Sequence, residues 1–475
     1  MTRRIRIAGF IVGAGLLGAA VFVGVRGWEQ REQIAAALPA PPANTLPTDF
    51  IARVKTATNR ARNGPDRFDA LVELSQLYHA NGFFPEASRC YQALVQLEPA
   101  NPRWSHRYAS LLATYGELDA AVTLWRRAVE LAPDYAPAGV RLGDALLKRG
   151  ENAASASAYE AVLKRQPTEP YAQLGLARLD VAAQRWPTAR DRLERLVAQT
   201  DFKLGYDLLP TVYEQLGEAP RAAALRAKQK ASGAFSDVPD PWLDELIDDC
   251  FDAHRLAVGG GNAVKIGDTT TALRLLGRAV ALAPNNEYFQ YQLGFLHLQL
   301  RDYANAGTHF ERSVALAPAF ADGWVYLANL RTILGDPAGA ERLLATGLQR
   351  APQSPALHLA RARQLAAAKR YPEAIAAFRA TIRLRPTEAD AFVDLAGVYF
   401  AQENLEAGAA ALRGALEAEP EFPAALTALA FLAINLGDEP GARQWLARAQ
   451  QQPRVPPQEL AALTQQFQQR FQRRF

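Results

Sequence analysis

Motifs that carry chemistry are what this chain has least of. In 475 residues there are only two cysteines, Cys90 and Cys250, far apart and in no paired spacing. A disulfide framework is therefore excluded as a source of stability, and both thiols read as small buried side chains. Haem attachment would need C-x-x-C-H, which the sequence does not contain. H-E-x-x-H, G-x-S-x-G and the phosphate-cradling G-K-[ST] pattern are also missing. The six histidines (His79, His106, His254, His297, His309 and His358) are scattered, with only His79 and His106 placed to meet across neighbouring helices. Nor is there a dominant charge: 53 Lys and Arg against 49 Asp and Glu leave +4, too little for this length to argue for nucleic acid. These absences point to a non-enzymatic protein with no cofactor.

Against that background one uncharged run stands out, Ile7 to Val25, preceded by Arg3, Arg4 and Arg6 and ended by Arg26. As a helix it would be roughly 28 Å long, enough to cross a hydrocarbon core. The arginines on its leading side place the N-terminus in the cytoplasm and everything after it on the far side, periplasmic or extracytoplasmic. A cleaved signal peptide is the rival, but the run is long for one and no small-x-small site follows closely. Residues 1–27 are thus expected to be an uncleaved single-pass anchor. Gly9 with Gly13, and Ala20 with Gly24, have the spacing that lets two such helices cross closely as a homodimer; the alternative is chance in a Gly/Ala-rich span. Residues 28–65 follow as a proline-rich linker and a leading helix. The stretch AALPAPPANTLP from Ala36 to Pro47 suits a stiff spacer. Thr48 is placed as the cap of a helix with Phe50, Ile51 and Val54 on its apolar side.

The second half is organised by a period. Pro284, Pro318, Pro352, Pro386 and Pro420 recur every 34 residues. Small residues stand at Ala272, Ala306, Ala340, Ala374 and Gly408, with bulky ones four later at Leu276, Phe310, Leu344, Phe378 and Leu412. Such a period implies stacked helical hairpins, none able to bury its apolar stripe alone. The small residue lets the second helix approach the first, and the bulky one fills the space beside it. Proline, lacking an N–H, ends the second helix and is tolerated as the next begins. A shorter train closes at Pro99, Pro133 and Pro167.

The spacing resembles the tetratricopeptide repeat, W-x2-L-G-x2-Y, then A-x3-F, then P. Trp324, Leu327, Ala328, Ala340 and Pro352 match it, as do Leu71, Leu74, Tyr78, Ala87, Tyr91 and Pro99. The resemblance implies an all-α, right-handed superhelix of about ten units in two blocks, residues 66–230 and 259–455, following an N-terminal transmembrane helix. It implies protein–protein binding on a concave face lined by the first helix of each hairpin. Matching positions put Gln76, His79, Asp144, Arg178, Tyr288, Tyr291, Phe295, Asn329, Arg363 and Phe431 there. The partner-binding groove is expected at Tyr288, Tyr291, Phe295, Asn329, Arg363 and Phe431. The Lys/Asn/Arg set with which the family's best-known pocket grips a C-terminal carboxylate is not recognisable. Tyr288, Tyr291 and Phe295 share a helix face and suit an aromatic-bearing segment; alternatively they pack beneath the non-repeat stretch described next.

Pro167 and Pro284 are 117 residues apart, which breaks the period. The stretch that does not belong is 231–258, with Asp237-Val238-Pro239-Asp240-Pro241-Trp242 at its start. It is expected to be an elbow or a plug over the groove. Asp240 is placed as the cap of a short acidic helix, and Cys250 and His254 on one face with Asp244 and Asp248, a two-ligand seed for a metal whose plainer reading is a solvated acidic face over a packed thiol. Gly259-Gly260-Gly261 weakens the next helix and signals a kink or a close approach. At the end, residues 456–475 hold Leu460, Leu463, Phe467 and Phe471 at helical spacing and read as a capping helix, with a membrane- or acid-facing surface around Phe475 as the rival. Taken together, the sequence predicts a membrane-tethered scaffold for protein–protein interactions in an envelope complex. Its rivals are an assembly chaperone of the cytochrome c or outer-membrane biogenesis kind and a ligand- or metal-binding accessory subunit.

Overall fold

Proline dictates where these helices stop. The computed structural model describes residues 28–40, 47–199, 202–229, 237–452, 454–473 and 475; among them every regular element is helical. In eight repeats the second helix ends two residues before its proline, as Leu97 does before Pro99, Leu282 before Pro284 and Ala418 before Pro420. The residue between them leaves the helical region in all eight, with φ from −127° to −139°. Crowding by the proline ring forces that excursion. The next helix opens three residues past the proline, so the proline occupies the connection and not, as its sequence position suggested, the following first turn.

Four hairpins run from Arg67 to Gln199 and six from Ala253 to Gln450. Their contact rows are those of the periodic pattern. Ala272, Ala306, Ala340, Ala374 and Gly408 are buried, and so are Leu276, Phe310, Leu344, Phe378 and Leu412. Glycine is needed where the row meets a large ring. A Cβ at Gly143 would lie 2.5 Å from the ring of Tyr159, and Gly175 touches the same ring from the next repeat. The glycine run at 259–261 does not interrupt its helix, Ala253–Ile266; Gly260 instead admits Leu276, which a Cβ would meet at 2.7 Å.

The chain forms two compact units. Of the described residues, the first holds those up to 218 together with 237–256, and the second holds 219–229 and those from 257 on. The non-repeat stretch therefore belongs with the first unit, although most of it follows that unit's last repeat in sequence by some twenty residues. At the C-terminal end the helix Pro457–Phe471 lays Leu463 and Phe467 on Ala430, Ala433, Ile434, Ala442 and Leu446, which is how a solenoid covers its last apolar surface. Phe475 joins the same cluster through Phe467.

Two details near the N-terminus differ from expectation. Residues 28–37 are helical, and Ile34, Ala37 and Leu38 pack into the first core beside Phe50, so the start of the linker is docked and not a free spacer. The leading helix is Thr48–Asn63 with Pro47 at its cap, so Thr48 lies inside it and makes no capping bond. Among the described residues no helix is long and apolar enough to cross a membrane. The expected anchor at 7–25, its GxxxG pair and the middle of the proline-rich linker lie outside the described residues.

Candidate functional site on two repeat faces

The first unit's repeat face is filled by the chain itself. From Asp237 onward the non-repeat stretch runs back across the first helices of the repeats, from the fourth toward the first. Tyr171 donates its hydroxyl to the Asp237 carbonyl at 2.8 Å, and Arg141 pairs with the Asp237 carboxylate at 2.7 Å. Val238 is buried among Ala136, Val140, Tyr159 and Leu176. One repeat on, the Asp240 carboxylate meets His106 Nε2 at 2.7 Å and accepts from the Tyr135 hydroxyl at 2.6 Å. The His106 and Asp240 side chains are 0% and 3% exposed, so this pair is wholly removed from water. Trp242 stacks flat on Tyr135, centroids 3.6 Å apart and planes within 10°.

The strap then turns through a single helical turn, Pro241–Asp244, and a 3-10 segment, Glu245–Asp249. Arg107, fully buried, donates to the Trp242 carbonyl at 2.6 Å and to Glu245 at 2.7 Å, and Arg103 reaches the same carboxylate at 3.0 Å. Asn81 spans the strap's backbone, donating to the Asp249 carbonyl and accepting from the Phe251 amide. Arg53 of the leading helix pairs with Asp249 at 2.8 Å, and the Phe251 ring lies 5.9 Å from that of Phe50. Burial works against ionising Asp240, but the hydrogen bonds from His106 and Tyr135 outweigh it and hold this carboxyl below its ordinary range. Desolvation has the upper hand at Asp249, whose carboxyl is raised despite Arg53.

Two sequence expectations fail here. Asp240 does not cap the short helix with its side chain, because its carboxylate is spent on His106 and Tyr135. Cys250 and His254 do not share a helix face: Cys250 is extended, with ψ 129°, and the next helix begins only at Ala253. The ladder with Asp244 and Asp248 is thereby broken, and no cluster of three or more His, Cys, Asp and Glu able to hold a metal occurs among the described residues. Of the two readings of this stretch, elbow or plug, the one of a plug over the groove describes what the strap does on the first unit. His79 and His106 take separate partners, Tyr91 and Asp240.

In the second unit the aromatic residues pack on one another. Tyr291 lies 5.4 Å from Phe320 and 5.5 Å from Tyr326, and Phe295 lies 5.3 Å from Tyr326, all against the core around Phe310. Tyr288 stands at the rim, 50% exposed. One repeat further, Asn329 and Arg363 line a cleft of about 760 Å³ with Val325, Leu359 and Leu344 in its walls. Arg363 is held there by Asp394 at 2.6 Å, and Phe431 is 48% exposed two repeats beyond. The six expected groove residues thus fall into a packed pair, an open cleft and two exposed aromatics.

Profiles described as the tetratricopeptide repeat match residues 72–136, 260–319 and 393–456 in one form and 146–209 and 297–363 in another. DnaJ homolog subfamily C member 3 of Rattus norvegicus is 25% identical over 233 residues, 49% of this chain and 39% of its own length. Hsp70-Hsp90 organizing protein of Triticum aestivum is 37% identical over 103 residues, 22% of this chain and 18% of its own length. The chain therefore spans well under half of either relative. Among solved structures, yeast Tom70 aligns over 85% of this chain and 96% of its own, at 16% identity and a TM-score of 0.42. With those matches spread from residue 72 to residue 456 over hairpins that stop at their prolines, the chain belongs to the tetratricopeptide repeat proteins.

Proposed function

We propose that this protein is a membrane-tethered scaffold in an envelope complex, docking a partner's segment on the repeat face of its second unit. The observation that carries the docking site is the open, apolar-walled cleft beside Asn329 and Arg363, with Tyr288 and Phe431 exposed on the same unit. Aromatic anchors and an apolar cleft on one repeat face are the kind of surface on which binding energy concentrates. The tether rests on the uncharged run Ile7–Val25 and its leading arginines, which put the repeats on the periplasmic or extracytoplasmic side. Partial likeness to Hsp70-Hsp90 organizing protein supports a second reading, in which the same face holds client segments during assembly.

Cross-linked pull-down from membranes separates the two: a stoichiometric partner set marks a scaffold, and a shifting set of unfolded clients marks a chaperone. Tyr288→Ala with Phe431→Ala should weaken capture at least about tenfold without moving the melting temperature, since neither ring is buried; undiminished capture would place the site elsewhere. Deleting residues 1–27 should release the protein from the membrane pellet, and continued sedimentation with membranes would refute the tether.

A further inference from the structure

We propose that residues 237–251 are a built-in occupant of the first unit's repeat face, held where a partner protein's acidic, tryptophan-bearing segment binds. The strap is recognised as a peptide is recognised. Side chains of the fourth, second and first repeats take its backbone: Tyr171 at the Asp237 carbonyl, Arg107 at the Trp242 carbonyl, Asn81 at the Asp249 carbonyl and the Phe251 amide. Such contacts hold the backbone whatever side chains it carries. Specificity comes from four carboxylates, each met by a basic group, the groups being drawn from the helices Thr48–Asn63, Pro102–Thr114 and Ala136–Lys148. Asp237 meets Arg141, Asp240 meets His106, Glu245 meets Arg103 and Arg107, and Asp249 meets Arg53. Trp242, between the second and third, is the aromatic anchor on Tyr135.

The receptor surface is larger than its occupant. Beside the strap, between Asp237 and Leu243, a cleft of about 480 Å³ is lined by Ser110, Trp125, Arg141, Asp144, Lys148 and Arg178. In this cleft Ser110 Oγ, Trp125 Nε1 and Arg141 Nε are buried with no hydrogen-bond partner. Buried donors are rarely left unmade, because each costs its desolvation. The Asp144 carboxylate is engaged by Tyr159, and Lys148 and Arg178 form no ion pair among the described residues. With the strap gone the cleft would present Arg141, Lys148 and Arg178 against Asp144 alone. That surplus of donors and positive charge fits a ligand carrying more carboxylates than the strap supplies. Such a ligand would displace the strap by filling sites the strap leaves empty.

The probe is a fluorescent peptide with the sequence of residues 237–252, titrated into the full chain and into the full chain carrying Asp240→Asn and Trp242→Ala. In the unmodified protein the tethered strap competes at a high effective concentration. The peptide should therefore bind the variant at least about tenfold more tightly, and a peptide with its own tryptophan replaced by alanine should lose that gain. Equal binding to both proteins, at matched helix content and melting temperature, overturns the proposal. A measurement on the unmodified chain covers a variant that fails to fold. Amides 243–251 should exchange with deuterium well ahead of the helices Pro102–Thr114 and Ala136–Lys148; exchange only together with those helices would make the strap a permanent part of the core. None of these readouts involves Tyr288, Asn329 or Phe431, so their failure leaves the second-unit docking site standing, and the reverse.

Discussion

At single positions the repeat imposes one backbone conformation that the side chains follow unevenly. The turn between the two helices has a residue at φ between 55° and 83° in every repeat. In the ten hairpins six of these positions are glycine, among them Gly82, Gly116, Gly150, Gly267 and Gly335, and Gly217 stands likewise between the helices Lys203–Gln215 and Ala219–Gln229, but Gln184, Arg301, Lys369 and Glu403 occupy the same place. An L-residue there costs about 1 kcal/mol through crowding of its Cβ against the next carbonyl, partly offset by glycine's greater freedom when unfolded. Lys369, exposed and unbridged, should therefore stabilise the protein by roughly 0.5 kcal/mol when changed to Gly. A higher urea midpoint at unchanged slope would show it. Within each run of hairpins this train of glycines recurs at multiples of the same 34-residue interval as the prolines and is therefore legible in the sequence.

A second residue-scale test concerns His79, whose ring is pushed down to about 4 by burial, with Arg107 and Arg255 adding to the shift. An unfolded histidine titrates near 6.5. Between those values the unfolded chain holds a proton that the folded chain lacks, so stability is complete above about pH 6.5 and falls as pH drops toward 4, by roughly 2–3 kcal/mol. His79→Gln should flatten the slope of unfolding free energy across that window. An unchanged slope would mean the ring is not held neutral.

Among the elements, the helices were readable and the strap was not. The helices follow from a 34-residue period whose small and large residues face each other, a pattern local enough to see in one dimension. The pairing of Gly143 and Gly175 across Tyr159 belongs to the same logic but needs two repeats to recognise. Gly143→Ala or Gly175→Ala should each cost about 1–3 kcal/mol, since the ring has no free space to move into. A drop in melting temperature under 1 °C would show that the ring gives way. The strap has no period, and its hydrogen-bond partners on the repeats lie 66 to 170 residues away in sequence. Asp240 looked like a helix cap because Asp before Pro usually is one. Its true partners, His106 and Tyr135, stand more than a hundred residues upstream.

At the level of the whole molecule, stability in a repeat array is set between neighbours, so damage should stay local. Phe467, fully buried in the terminal cluster, holds the capping helix on the last hairpin. Phe467→Ala should cost about 3–5 kcal/mol in that cluster. Hydrogen exchange should then speed up across residues 423–471 while the hairpins from 287 to 384 keep their protection. Uniform loss across the second unit would show that its repeats unfold as one block.

The sequence by itself determined the hairpins, their boundaries at the prolines, the buried rows and the C-terminal cap, because each depends on contacts within one repeat or with the next. It also supplied the list of aromatic and polar residues on the second unit's face. Only the tertiary structure decided which of them stay accessible, and that the first unit's face is filled by residues 237–251. Occupancy of that face depends on where a non-repeating segment folds back, and no local periodicity encodes that distance.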